Sequence, residues 1–70
     1  MYSTTDIVLA ATLRTLGYEL DHNDKLGNKG TFFFGGVDMD VIQRYDLGQL
    51  QVEPVAFNNA IKALTTAARR

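Results

Sequence analysis

Three consecutive phenylalanines, Phe32-Phe33-Phe34, follow Thr31 and are fenced by Gly30 on one side and Gly35-Gly36 on the other. In an extended segment successive side chains point to opposite faces, so Phe32 and Phe34 share one surface and Phe33 takes the other. Both surfaces then call for cover. In a chain of 70 residues, a single core is marginal, and oligomerisation is a common way to finish it. The whole chain, 1–70, reads as a single domain whose helices cover one face of this strand, the second face meeting another element or another copy of the protein.

The elements around that strand follow from local signals. Ser3, Thr4, Thr5 and Asp6 offer N-cap oxygens, and Leu9, Ala10, Leu13 and Leu16 form one stripe, predicting a helix from about Thr5 to Leu16 that Gly17 stops. Ile7 and Val8 lie off that stripe and suggest a second, weaker contact. Tyr18 to His22 alternates apolar and polar residues, which predicts a half-buried strand with Tyr18 and Leu20 inward. Asn23 to Gly30 is turn chemistry, so this strand and the phenylalanine strand form an antiparallel hairpin. Val37 to Tyr45 reads as a short helix capped by Asp38, with Val41, Ile42 and Tyr45 apolar, ended at Asp46-Leu47-Gly48. Leu50-Gln51-Val52 is a short extended connector. Pro54 then opens a final helix with Phe57, Ile61, Leu64 and Ala68 on one stripe, and Arg69 and Arg70 complement its C-terminal dipole. The expected class is α+β: an antiparallel β-hairpin packed against three helices, in the order α-β-β-α-α.

Composition narrows the chemistry. There is no cysteine, which excludes disulfides and thiolate metal sites, and a single histidine, His22, makes a histidine-based zinc site improbable within one chain. Eight acidic and seven basic residues create no basic field for nucleic acid. No apolar run approaches the ~18 residues of a membrane span, and the N-terminus has no leader pattern, so the expected location is the cytoplasm.

Motif fragments fail on inspection. Asp21 and Asn23 match two positions of a calcium loop, but Leu26 stands where glycine is needed and Phe32 where glutamate is needed. Gly27-Asn28-Lys29-Gly30 has the G-x-x-G shape of an RNA-clamping loop, yet it joins strands rather than helices. Gly35-Gly36 before a helix suggests an anion cradle, which Asp38 and Asp40 would make repulsive. These two aspartates diverge by about 200° on a helix and form no acid/base pair. Ser3 has no histidine near it in sequence, and no other arrangement supports catalysis, metal or cofactor binding. The final helix offers Asn58, Asn59 and Lys62 but little else for a helix-turn-helix contact. What remains is a local cluster of cations and donors, Lys25, Asn28 and Lys29 with His22 nearby, on glycine-bearing backbone suited to phosphates.

Tyr2-Ser3-Thr4-Thr5-Asp6, Leu9-Ala10, Leu13, Leu16-Gly17-Tyr18, Phe32-Phe33-Phe34 and Leu50-x-Val52-Glu53-Pro54 with Phe57 and Ile61 span nearly the whole chain. Together they resemble a family of small uncharacterised proteins of bacteriophages and bacterial genomes, classed as a domain of unknown function. Its most specific pieces here are the opening Tyr-Ser-Thr-Thr-Asp and the late Val-Glu-Pro-x-x-Phe. The resemblance carries no catalytic residues. It implies an accessory protein acting by binding, in the host cytoplasm if phage-encoded. The leading expectation is a non-enzymatic, anti-defence protein that sequesters a nucleotide signal in a homo-oligomer. Lys25, Asn28, Lys29, His22 and Arg44 would face its phosphates, Tyr18 or Tyr45 would stack on its base, and the subunits would meet through Phe32 and Phe34 or through Phe33. The alternative is an inhibitor or adaptor docking directly on a host protein; a nucleic-acid-binding regulator is disfavoured by the near-neutral charge.

Overall fold

The computed structural model describes residues 2–26 and 29–68. Its elements are β1 (Tyr2–Thr4), α1 (Ile7–Thr15), β2 (Leu20–Leu26), β3 (Lys29–Phe34), α2 (Met39–Asp46) and α3 (Pro54–Ala68). The expected hairpin is present as β2 and β3, and the fold is α+β. The sheet, however, has three antiparallel strands in the order β1-β3-β2, so the phenylalanine strand is central.

The added strand comes from residues that sequence patterning assigns to capping. Tyr and Thr favour extended backbone, and Tyr2, Ser3 and Thr4 pair with Phe34, Phe33 and Phe32. Of the four candidate cap oxygens, those of Asp6 cap α1, because its carboxylate accepts from the Val8 and Leu9 amides at 2.9 and 3.4 Å. Thr4 Oγ1 in turn accepts from the Asp6 amide at 3.0 Å, turning the chain from strand into helix.

Glycine ends two of the helices in the same way. The Gly17 amide donates to the Arg14 carbonyl and the Tyr18 amide to the Leu13 carbonyl, while Gly48 and Gln49 do the same toward Tyr45 and Arg44. This double bond pattern needs a left-handed residue after the cap, and Gly17 and Gly48 adopt φ +103° and +71°. Leu16, expected on the buried stripe of α1, is instead 40% exposed, because it is the cap at which the helix stops. At the start of α3, the Glu53 carboxylate accepts from the Ala56 amide, and Pro54 occupies the first turn, where no N–H is required.

One core holds these parts together: Leu9, Ala10, Ala11 and Leu13 of α1, Phe32 and Phe34 of β3, Ile42 of α2, and Ala60 and Leu64 of α3. Ala10 and Ala11 are fully buried, and their small side chains let α3 approach α1 closely. Thr12, buried among them, satisfies its hydroxyl on the Val8 carbonyl at 2.8 Å. Phe57 and Ile61, on the predicted stripe of α3, pack against this core from the side. All three helices thus contribute to the Phe32 and Phe34 face of the sheet.

Candidate functional site

The opposite face of the sheet carries no helix among the described residues, and its composition is set by register. Ser3 lies opposite Phe33 on one side, His22 opposite Phe33 on the other, and Asp24 opposite Thr31 one step along. Strict alternation from the inward-facing Leu20 would have turned His22 toward the helices. A register shift between Leu20 and His22 inserts Asp21 as an extra residue, which turns His22 onto the open face and sets Asn23 opposite Phe32.

The bulge thereby builds a stacked pair. The His22 and Phe33 rings lie 4.3 Å apart with an interplanar angle of 12°. That separation is close to the interstrand spacing of ~4.8 Å, so the two rings stand side by side, each from its own strand. The Asp21 carboxylate accepts from His22 Nδ1 at 2.6 Å, which fixes the imidazole against the phenyl ring. Both partners of this contact remain about half exposed, at 53% and 50% of their side-chain surface. Ser3 shares the face with His22, but the Phe33 strand stands between them and separates their backbones by roughly 10 Å.

The remaining predicted ligand residues do not converge. Tyr45, on α2, is half-buried and donates its hydroxyl to Asp6 Oδ2 at 3.3 Å, at the N-terminal end of α1. Its burial first, and then the Asp6 charge and hydrogen bond, raise the Tyr45 pKa above the ordinary phenol value. Tyr18 packs on the core at the other end of α1, about 14 Å away along a nine-residue helix. Arg44 is engaged at 3.1 Å by Asp40, one helical turn back. Lys25 and Lys29 sit in strand register opposite Gly30 and Leu26, at the far end of the hairpin from Phe34. Their side chains, and Asn28 altogether, lie outside the described residues.

The phenylalanines divide as their alternation requires. Phe32 and Phe34, expected as one of two oligomer surfaces, are 2% and 0% exposed inside the monomer and are corrected to core residues. Phe33 alone of the three faces outward, half-buried. Sequence reasoning points to Phe33 and His22 but not to their neighbours Ser3, Asp21 and Asp24. Ser3 is hidden by the unexpected β1, and the two aspartates by a bulge that no residue pattern announces.

Among the described residues there is no group of three or more His, Asp or Glu side chains able to hold a metal ion, and no helix long and apolar enough to cross a membrane. No family model, no curated protein and no solved structure matches the chain.

Proposed function

We propose that this chain is a non-enzymatic accessory protein, of the phage type its sequence resembles, that acts by docking on a partner protein through the uncovered face of its sheet. The observation that carries this reading is the Phe33–His22 stack, an aromatic surface held rigid by Asp21 and left outside the monomer's core. Flat aromatic groups with a hydrogen-bonding rim are what protein interfaces concentrate at their centres. The test is affinity capture from host cells with the wild-type chain and with Phe33→Ala. A partner retained by the first and lost by the second supports docking through this face; a partner held equally by both removes Phe33 from the interface.

A second reading, sequestration of a nucleotide by a homo-oligomer, draws on the same stack, since a base lies as readily as a side chain against an aromatic ring. Against it, among the described side chains the carboxylates of Asp21 and Asp24 lie beside the rings, where phosphates would need cations. Native mass spectrometry separates the two readings. A multimer carrying a nucleotide that denaturation releases supports sequestration, whereas a monomer with no passenger leaves protein docking.

A further inference from the structure

We infer that α2 is a releasable cover, which lifts off the corner where β1 turns into α1 while the sheet and the α1–α3 pair stay folded. Its own residues make it a self-contained helix. Asp38 caps it by accepting from the Asp40 amide at 3.0 Å, Arg44 pairs with Asp40 one turn back at 3.1 Å, and the Gly48 amide closes the last turn on the Tyr45 carbonyl. All three bonds stay within residues 38–48, so none of them holds α2 to the rest of the chain.

What does hold it is small. Of the nine buried apolar side chains among the described residues, α2 supplies one, Ile42, while the other eight join α1, β3 and α3. Val41 and Tyr45 pack at the margin of that core, whereas Met39 at the first position of the helix and Leu47 at its C-cap are 60% and 70% exposed. Among the described residues, one side-chain hydrogen bond runs from α2 to the Asp6 corner: Tyr45 Oη donates to Asp6 Oδ2, long at 3.3 Å and exposed. A cleft of about 320 Å³, lined by Tyr2, Gly36, Val37 and Met39, opens between β1 and the start of the helix. Few buried contacts and exposed hydrogen bonds mark a segment that opens on its own.

The connections on either side permit the movement. Gly35-Gly36 precede α2 and Gly48 follows it; Gly36 and Gly48 both take φ +71°, and no neighbouring atom lies within 4 Å of where a Cβ would stand at any of the three. Unhindered glycines absorb large backbone changes. An eight-residue helix is too short to persist alone, so release and unwinding are one event. Ile42 packs with Phe32 and Phe34 on the helix side of the sheet, so release of α2 leaves the Phe33 face in place whatever docks there.

Amide hydrogen exchange of the full chain tests this, followed residue by residue by NMR from zero urea to just below the unfolding transition. Relative to their intrinsic rates, the amides of Gln43 to Leu47 should exchange at least ~30-fold faster than those of Leu13 in α1 and Leu64 in α3, and urea should accelerate them only slightly until global unfolding takes over. Ile42→Ala should raise α2 exchange by about a further tenfold or more, while the signals of α1, the sheet and α3 keep their folded dispersion. Equal protection and equal urea dependence in α2, α1 and α3 would overturn the inference. So would Ile42→Ala melting α1 and α3 together with α2, because the rest of the fold would then depend on the cover. The wild-type rates need no variant and decide on their own should Ile42→Ala prove too poorly produced to study.

Discussion

Replacing Phe33 and Phe34 one at a time by alanine tests the division of faces on which the functional reading depends. Phe34 has no exposed surface and sits in the central strand between Tyr2 and Leu20. Its truncation removes a whole buried ring and leaves a cavity, a loss of about 3–5 kcal/mol. A domain of this size has a total stability of roughly 4–10 kcal/mol, so Phe34→Ala should be largely unfolded or close to it. Phe34→Leu fills most of the cavity and should cost about 1–2 kcal/mol, giving a measurable midpoint. Phe33, adjacent and chemically identical, has only its half-buried surface and the His22 stack to lose, about 1 kcal/mol. Urea unfolding followed by far-ultraviolet circular dichroism reads the difference. With a slope of about 1 kcal/mol per molar urea, Phe33→Ala should keep a transition about 1 M below the wild type, whereas Phe34→Ala should show either no folded baseline or a midpoint lower by about a further 2 M or more. Equal losses would mean that Phe33 is as buried as Phe34, and the open face, with everything inferred from it, would be wrong.

Gly17→Ala should cost about 1–2 kcal/mol in the same assay, because φ +103° strains any side chain, although a Cβ there meets nothing within 4 Å. Gly35→Ala, equally open but without a positive φ, should be neutral or slightly stabilising, and a similar loss at both glycines would refute a conformational cause. Tyr45 should give the protein an alkaline sensitivity. Its folded-state pKa is raised by burial and by Asp6, so the stabilisation belongs to the neutral phenol: complete below pH ~10 and lost as pH rises through the folded-state value. Tyr45→Phe should cost about 0.5 kcal/mol at neutral pH and flatten that alkaline limb, as urea midpoints from about pH 8 to 11 would reveal; an unchanged limb would assign it to other groups.

The sequence discloses most of the architecture wherever one residue type has a single structural use. Gly17 and Gly48 stop helices because only glycine takes left-handed backbone without strain, Pro54 starts one because it lacks an N–H, and Asp38 caps α2 by accepting from the Asp40 amide at 3.0 Å. Legibility fails where one residue type has two uses. Ser and Thr cap helices and also extend, so Tyr2-Ser3-Thr4 conceals a strand whose existence depends on the β3 edge it pairs with. The alternation of Tyr18 to His22 suggests one regular strand, yet β2 begins at Leu20 and breaks register one residue later. A bulge is settled by pairing partners rather than by its own sequence, which is why the environment of His22 is not readable from the chain alone. The ligand set fails for a related reason: Tyr18, Arg44 and Tyr45 are each engaged locally, by the core, by Asp40 and by Asp6, and proximity in composition is not proximity in space.

The two faces of the sheet also bear on what kind of association this chain can make. All three helices are committed to the Phe32 and Phe34 side, where the buried residues other than Thr12 are apolar. Among the residues whose side chains are described, the other side bears Phe33 together with Ser3, Thr31, His22, Asp21 and Asp24. An obligate subunit interface resembles a core cut in half, and the described patch, in which Phe33 stands amid Ser3, His22, Asp21 and Asp24, does not. Such a face is solvated comfortably in the free monomer and still offers an aromatic centre with a charged rim to a complementary surface. That combination suits a reversible complex with a different protein better than permanent self-assembly, and it is why the phenylalanine that contributes least to stability is the one expected to matter most for binding.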